Sequence, residues 1–169
     1  MLTESRLCEV YALCKKELFV YIYRFVHSHE SSEDILHDCF ENLIKYSIKY
    51  DLADVNIRSF LYRTAHNLVI NHIKRDRRIT PATLEEDSSV TDANYMEGAF
   101  ELDELNREIY DRIQSTDSVA RSIFIMNKES GMSIAQIAST LGMSERTARR
   151  KLAGVIEDLG NHLKKLGFL

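Results

Sequence analysis

The segment from Ser133 to Leu152 contains the side chains whose types and spacing most clearly suggest a chemical role. Ser133 and Gln136 have the spacing of a capping box, and Gly142 lies where a short helix would have to stop and turn. Ser144 can cap the helix that follows. A short capped helix, a glycine turn and a second helix predict a helix-turn-helix, which places the first turns of its second helix in the DNA major groove.

Cations dominate the exposed positions of that second helix. The residues that we predict to contact DNA are Ser144, Glu145, Arg146, Thr147, Arg149, Arg150 and Lys151. The predicted internal contacts of the motif are Ile134, Ile137, Ala138, Leu141, Ala148 and Leu152. Arginine can donate to guanine O6 and N7 or to a phosphate, which suits base readout and backbone contact alike. The alternative is an ordinary helical hairpin with a solvated basic face, and the coincidence of cap, glycine and cations favours the helix-turn-helix.

A second basic cluster ends a predicted helix over residues 57–78. It consists of Lys74, Arg75, Arg77 and Arg78, and upstream polar groups with helical spacing are His66, Asn67, Asn71 and His72. These groups could contact bases or phosphates, although cations at a helix C-terminus are also favoured by the helix dipole alone. Nearby tyrosines, Tyr46, Tyr50 and Tyr62, could stack on unpaired bases. A tyrosine in a helical domain is more often part of the core.

An acidic stripe is predicted on the second helix, where Asp34, Asp38 and Glu41 share one face at spacings of four and three. Paired carboxylates could do acid–base chemistry, which leaves a helical enzyme as an alternative. No nucleophile with a linked histidine, phosphate loop or glycine-rich motif accompanies them, so a solvated or partner-facing stripe is the better interpretation. His37 and Cys39 point about 200° apart on a helix, so we predict no metal site and no cofactor.

Composition and charge indicate how these motifs are connected. The 169 residues carry 22 Lys and Arg against 26 Asp and Glu, a net charge of −4. Residues 84–104 hold eight of the acids and no Lys or Arg, so the rest of the chain is positive by 4. All six glycines follow residue 97 and the one proline is Pro81, which argues against a parallel α/β fold.

Apolar residues at spacings of three and four predict long helices throughout. A first helix spans about residues 5–26, a second is capped by Ser31 or Ser32, and residues 50–56 form a loop. We therefore predict an all-α protein of two helical domains, residues 1–80 and 101–169, joined by a flexible acidic linker over residues 81–100. The apolar runs are too short to span a membrane, and three cysteines without a Cys-x-x-Cys pair indicate reduced thiols in a cytoplasmic protein.

The order of these motifs resembles a known family. The run from Glu33 to Phe40 is similar to the acidic helix by which bacterial sigma factors grip RNA polymerase. The run from Phe60 to Asn71 resembles the adjoining helix that meets the promoter minus-ten element, and the helix-turn-helix resembles the sigma-four domain that reads the minus-thirty-five element. Two domains, an acidic linker and this length are similar to the extracytoplasmic-function sigma factors, whereas larger sigma classes carry extra domains.

The resemblance implies a non-enzymatic protein and a role for each set of residues. Core RNA polymerase would bind Asp34, His37, Asp38 and Glu41. The minus-ten DNA would meet Tyr50, Asn56, Arg63, His66, Asn67, Asn71, Lys74, Arg75 and Arg78, with the loop over residues 50–56 capturing an unpaired base. Partners are then core polymerase, promoter DNA and an anti-sigma factor, without membrane insertion.

Three residues depart from the family pattern: His37 replaces Gln, Phe60 replaces Trp and Asn71 replaces Asp. His37 can still donate and accept hydrogen bonds, and Phe60 keeps the bulk but loses a donor, which indicates a core position. A stand-alone helix-turn-helix regulator, with the first domain as a dimerisation or sensor module, remains the alternative function. It would bind its operator tightly without polymerase.

Overall fold

The computed structural model describes residues 3–79 and 103–169, and these fold into helices joined by short turns. The helices are α1 (Glu4–Val26), α2 (His29–Lys49), α3 (Ile57–Ile79), α4 (Asp103–Gln114), α5 (Ser118–Lys128), α6 (Ile134–Leu141) and α7 (Glu145–Leu166). The described residues contain no β-strand. The predicted all-α class, with two helical domains, is confirmed. The predicted acidic linker over residues 81–100 lies outside the described residues.

The first three helices pack against one another as a bundle around a fully buried apolar core. Its centre includes Leu18 and Ile22 from α1, Leu43 from α2, and Leu61 and Val69 from α3. The three- and four-residue spacing of these side chains gives each helix one apolar face, and burying those faces together is what holds the bundle.

The predicted start of α2 was wrong by one turn. Ser28, not Ser31 or Ser32, is the N-cap, and its hydroxyl accepts from the Ser31 N–H at 3.3 Å. His27 makes this early start possible because it adopts the left-handed conformation, with φ of 55°, at the end of α1. Ser32 is buried inside the helix and donates to the Ser28 carbonyl oxygen at 2.6 Å.

The predicted helix-turn-helix is present in the second group of helices. Ser133 and Gln136 form the capping box, with Ser133 Oγ accepting from Gln136 N–H at 3.2 Å and Gln136 Oε1 accepting from Ser133 N–H at 2.9 Å. Gly142 ends α6 with φ of 67°, and Ser144 caps α7 by accepting from Thr147 N–H at 3.1 Å. Of the predicted internal contacts, Ile137, Ala138, Ala148 and Leu152 are buried, and Ile134 and Leu141 are partly buried against them.

The two groups of helices pack directly against each other. Helix α3 contacts α6, and the buried side chains of both groups form one continuous apolar cluster. The three cysteines, Cys8, Cys14 and Cys39, are unpaired. No helix within residues 3–79 and 103–169 is long and apolar enough to cross a bilayer.

The turn at Gly142 can be tested against a glycine inside a helix. Gly142→Ala should lower the free energy of unfolding by about 1–2 kcal/mol, because a Cβ disfavours the left-handed backbone. Gly154 lies within α7 with open space around it, so Gly154→Ala should raise stability by about 0.5–1 kcal/mol. Urea unfolding of both variants measures this. A Gly142→Ala variant as stable as the parent would contradict the assigned role of the turn.

Candidate functional site

The predicted DNA-contacting face of α7 is open to solvent. Glu145, Arg146, Arg149 and Arg150 are exposed in the first turns of the helix. Arg149 lies 4.0 Å from Glu145, a loose ion pair between two exposed side chains. Such a pair contributes little, so it leaves the guanidinium available to an outside acceptor.

Three other members of this set have partners inside the protein. Ser144 and Thr147 cap the helix, and their hydroxyl oxygens lie 2.9 Å apart. Lys151 is half-buried and lies 3.4 Å from Asp117 Oδ2, the residue that caps α5. Lys151 therefore links α7 to α5, in addition to its predicted role in contacting DNA.

The acidic stripe on α2 lies on the solvent side of the first bundle. Asp34, His37, Asp38 and Glu41 are all exposed, and the opposite face of the helix packs Leu36, Cys39 and Leu43 into the core. Glu41 pairs with Lys45 one turn later, at 2.7 Å. Two exposed apolar side chains, Ile44 and Ile48, follow towards the end of the helix, Ile48 at 66% exposure. An acidic stripe followed by apolar side chains has the composition of a protein-binding surface.

Aromatic side chains from α2 and α3 line an open cavity of about 470 Å³ beside the predicted loop. Tyr46 lies 4.7 Å from Tyr50 and 5.0 Å from Phe60, measured between ring centroids. Asn67 and Lys49 are among the other residues that line the cavity. Tyr50 is 58% exposed, so its ring has a free side on which another flat group could stack.

Tyr62 does not belong to that aromatic group. It is 1% exposed, so the interpretation of this tyrosine as a core residue is the right one. Asn56 begins α3 by accepting from Ser59 N–H at 3.0 Å. Asn67, Asn71, Lys74 and Arg75 are exposed along α3, and the side chain of Arg78 lies outside the described residues.

Arg63 on α3 contacts the helix-turn-helix instead of projecting freely from the first bundle. Its Nε donates to the Thr140 carbonyl oxygen at 2.8 Å, and its Nη2 donates to the Ser139 carbonyl oxygen at 3.0 Å. The last carbonyls of a helix have no partner within that helix, so a guanidinium there satisfies two acceptors and meets the negative end of the helix dipole.

Two further α3 side chains hold the turn between α5 and α6. Tyr62 donates its hydroxyl to Ser130 Oγ at 2.6 Å, and Arg58 donates to the Ser130 carbonyl oxygen. Arg58 also makes two bonds of 2.8 Å to the carboxylate of Glu17 on α1. This hydrogen bonding raises the pKa of Arg58, so the guanidinium stays charged where it bridges the two groups of helices.

Helix α1 adds a stacked cation to the contact between the two groups of helices. The guanidinium carbon of Arg24 lies 3.4 Å from the centroid of the Tyr110 ring, and its Nε lies 3.4 Å from Glu129 Oε1. Tyr110 in turn donates its hydroxyl to Glu129. An arginine on an aromatic face, with a carboxylate beside it, combines a cation–π contact with an ion pair.

A hydroxyl–imidazole cluster lies at the centre of this interface. Ser122 Oγ on α5 lies 3.0 Å from the Tyr21 hydroxyl and 2.9 Å from His66 Nδ1, and it donates to the Ser118 carbonyl oxygen at 2.9 Å. All four groups are satisfied when Tyr21 and a neutral His66 donate to Ser122. Burial lowers the pKa of His66 because the protonated ring would lose its hydration.

These contacts define what we call the interdomain interface: Tyr21, Arg24, Arg58, Tyr62, Arg63 and His66 on one side, and Tyr110, Ser122, Glu129, Ser130, Ser139 and Thr140 on the other. Two members of the predicted minus-ten set, Arg63 and His66, therefore face the second group of helices. A role for them in DNA contact stays a prediction, and it requires the interface to open.

Sequence reasoning did not find the partners of this interface. Arg58 and Ser130 are 72 residues apart, and Tyr21 and Ser122 are 101 residues apart. No local spacing signals such pairs. The one available signal was the placement of Tyr62 and His66 one turn apart on α3, which puts two polar-tipped side chains on a single face.

Comparison with known proteins places both halves of the chain. The family model described as sigma-70 region 2 matches residues 10–79, and that described as sigma-70, region 4 matches residues 106–153. No curated protein matches the chain. The fold is similar to the sigma factor RpoE in complex with the anti-sigma factor NepR from Bartonella quintana, with TM-score 0.75 and 16% identity over 93% of this chain and 96% of that one. It is also similar to CnrH in complex with the cytosolic domain of CnrY, with TM-score 0.71 and 17% identity over 96% of this chain and 90% of that one.

The buried imidazole predicts acid sensitivity of this arrangement. Because the folded protein holds the pKa of His66 below its ordinary value of 6.5, the unfolded chain binds more protons there as the pH falls through that value, and stability is lost. Stability is retained above that range. His66→Gln should therefore reduce the loss of unfolding free energy between about pH 7.5 and about pH 5.5.

His37→Gln is the matched control, because His37 is exposed on α2. Burial, and then the charges of Arg121 and Arg24, also lower the pKa of His27, and this contribution is common to the parent and both variants. Equal pH dependence in His66→Gln and His37→Gln would show that the interface is insensitive to the charge of His66.

Proposed function

This chain belongs to the sigma-70 family, whose members bind core RNA polymerase and direct transcription initiation at promoters, and we propose how its residues divide that work. It has regions 2 and 4 in the arrangement of the extracytoplasmic-function group. The observation that carries the proposal is that both regions occur in one chain, region 2 with an exposed acidic helix and region 4 with an exposed cationic one.

The polymerase-binding surface is the acidic stripe of α2, Asp34, His37, Asp38 and Glu41. Its support is threefold: the stripe is exposed, it lies within the region 2 match, and it continues into exposed Ile44 and Ile48. Charged groups around an apolar patch give both attraction and a defined register to a protein–protein contact.

The minus-ten surface is formed by α3 and the loop before it. Asn67, Asn71, Lys74 and Arg75 supply exposed donors along one helix. Arg78, whose side chain lies outside the described residues, belongs to the same proposed set. The cavity between Tyr46, Tyr50 and Phe60 offers a stacking surface for one unpaired base, which is the part of the promoter that must leave the duplex. Asn56 shapes the loop by capping α3.

The minus-thirty-five surface is the first part of α7. Arg146, Arg149 and Arg150 are the base and phosphate contacts, with Glu145 beside them and Ser144 and Thr147 holding the first turn in shape. Lys151 acts partly through Asp117, because that pair keeps α7 in place on α5.

We call the arrangement in which the two regions contact each other through the interdomain interface the closed form, and we propose that it is the inactive form of the protein. Arg63 and His66 are bonded to region 4 in this form, so promoter binding through both regions requires the interface to separate. Both solved relatives are held in complexes, one with an anti-sigma factor and one with the cytosolic domain of CnrY. By analogy, an anti-sigma factor is the partner that would keep this chain closed.

The chain itself catalyses no reaction. Sigma factors as a family are regulators without enzymatic activity, and the polymerase forms the phosphodiester bonds. The acids of α2 are solvated, and no nucleophile converges on them among the described residues, which also favours a binding role.

The site of action is the cytoplasm, where bacterial polymerase and promoters are found. Retention on purified core enzyme, followed by run-off transcription on genomic fragments, tests the whole assignment.

The α2 surface can be tested by charge reversal. Asp34→Lys with Asp38→Lys should weaken binding to core polymerase at least about tenfold, because like charges would then face each other across the contact. Both side chains are exposed, so helix content by circular dichroism should be unchanged. Asp111→Lys with Glu157→Lys makes the same charge change on exposed positions of α4 and α7 and should retain binding. Equal loss in both pairs would reject the stripe as the contact.

The two DNA-facing surfaces differ in what their variants change. Arg146→Ala or Arg149→Ala should alter which upstream sequence is selected, since a base-reading arginine is worth about 1–3 kcal/mol of discrimination. Lys74→Ala and Arg75→Ala should lower initiation on every template and flatten the salt dependence. Selection from a randomised upstream element with reconstituted holoenzyme separates these outcomes. Recovery of the parental motif by the arginine variants would show that α7 is not the reader.

A further inference from the structure

A cleft of about 580 Å³ lies between the two regions, beside the polar cluster of the interdomain interface. Its walls come from the end of α1, the second half of α3, and the turn that leads into α5. The volume falls within the range of about 300–1,000 Å³ that small-molecule sites occupy in proteins. Apolar side chains line one side, including Phe25.

The charged side chains that line this cleft are mostly cations from opposite regions. Lys74 and Arg77 come from α3 of region 2, and Arg121 comes from α5 of region 4. Asp117 is the lining carboxylate, and its oxygens are already engaged: Oδ1 accepts from the N–H groups of Val119 and Ala120, and Oδ2 lies 3.4 Å from Lys151. The cleft is therefore positive by two charges in the described part of the chain.

Arg121 has one carboxylate near it in this cleft, that of Asp117, whose oxygens are already engaged by other groups. Burial lowers the pKa of Arg121, and the positive charge of Arg77 lowers it further. Its guanidinium lies 5.1 Å from the Phe25 ring and its Nη2 donates to backbone oxygens of Gln114 and Thr116, but its buried Nε has no hydrogen-bond partner within the described residues. Exposed Lys74 and Arg77 from one region and Arg121 from the other line the same cleft, and such a set suits an anion that can pair with cations of both regions.

We propose that the cleft binds a phosphate-bearing organic anion of nucleotide size, which bridges Lys74 and Arg77 of region 2 to Arg121 of region 4. The phosphates lie among the cations, and the organic part lies against the apolar lining of the cleft, which includes the partly exposed Ile70 and Ile73. Such a ligand contacts both regions at once, so it binds the closed arrangement alone and stabilises it by mass action. A sigma factor with this site would be held inactive by a small metabolite as well as by a protein partner.

The test uses the full chain and adenosine diphosphate (ADP) as the probe. At constant ionic strength, ADP at about 100 times its Kd should raise the Tm by about 5 °C or more, whereas adenosine and chloride should not. Arg77→Gln should weaken ADP binding at least about tenfold in calorimetry. Arg75→Gln is the matched control, because Arg75 is an exposed arginine two residues away on α3 that does not line the cleft.

Two results would overturn the proposal. One is no ADP-dependent change in Tm, and the other is equal weakening by Arg75→Gln and Arg77→Gln, which would mean a diffuse positive field and no built site. Arg77 is exposed, so its replacement does not threaten folding. The measurement needs neither polymerase nor promoter, and its outcome is therefore independent of the proposed function.

Discussion

The hydrogen bonds from the Arg63 guanidinium to the end of α6 fix how region 2 and region 4 pack against each other. By bonding the carbonyl oxygens of Ser139 and Thr140, the guanidinium joins the helix expected to meet one promoter element to the motif expected to read the other. Arg58 and Tyr62 extend the contact to Ser130, and with His66 one face of α3 docks region 4 along about two turns of helix. Each of these bonds ends on a group that would otherwise need water, which makes the docking specific and also reversible.

This docking divides the predicted surfaces into two kinds. The acidic stripe of α2 and the cationic start of α7 remain exposed in the closed form, and a partner can reach both without rearrangement. Arg63 and His66 instead have their polar groups bonded to region 4, Arg63 at the exposed edge of the interface and His66 partly buried within it. Under the proposed function, promoter contact through Arg63 and His66 requires the two regions to separate, and the energy of the new contacts must then replace the interface that is lost.

The interdomain interface combines the continuous apolar cluster with many polar side chains. A histidine, three tyrosines, three arginines and the side chains of two serines share it with apolar side chains such as Phe25. An apolar interface of the same size would be harder to open. The polar pairs can exchange their partners for water on separation, which lowers the cost of opening relative to a wholly apolar contact. That balance lets a ligand or a second protein decide between them.

The helix caps, the turn at Gly142 and the apolar helix faces were predictable because each depends on residues close together in the chain. The capping box of Ser133 and Gln136, the left-handed turn at Gly142 and the apolar faces of the long helices are all read from spacings of three or four residues. The start of α2 was missed since Ser28, Ser31 and Ser32 are equivalent as caps, and the backbone conformation of His27 decided among them. The interdomain pairs lie up to 101 residues apart, and the closure of α3 onto α5 and α6 was decided by tertiary packing alone, because no sequence spacing encodes which exposed arginine meets which carbonyl.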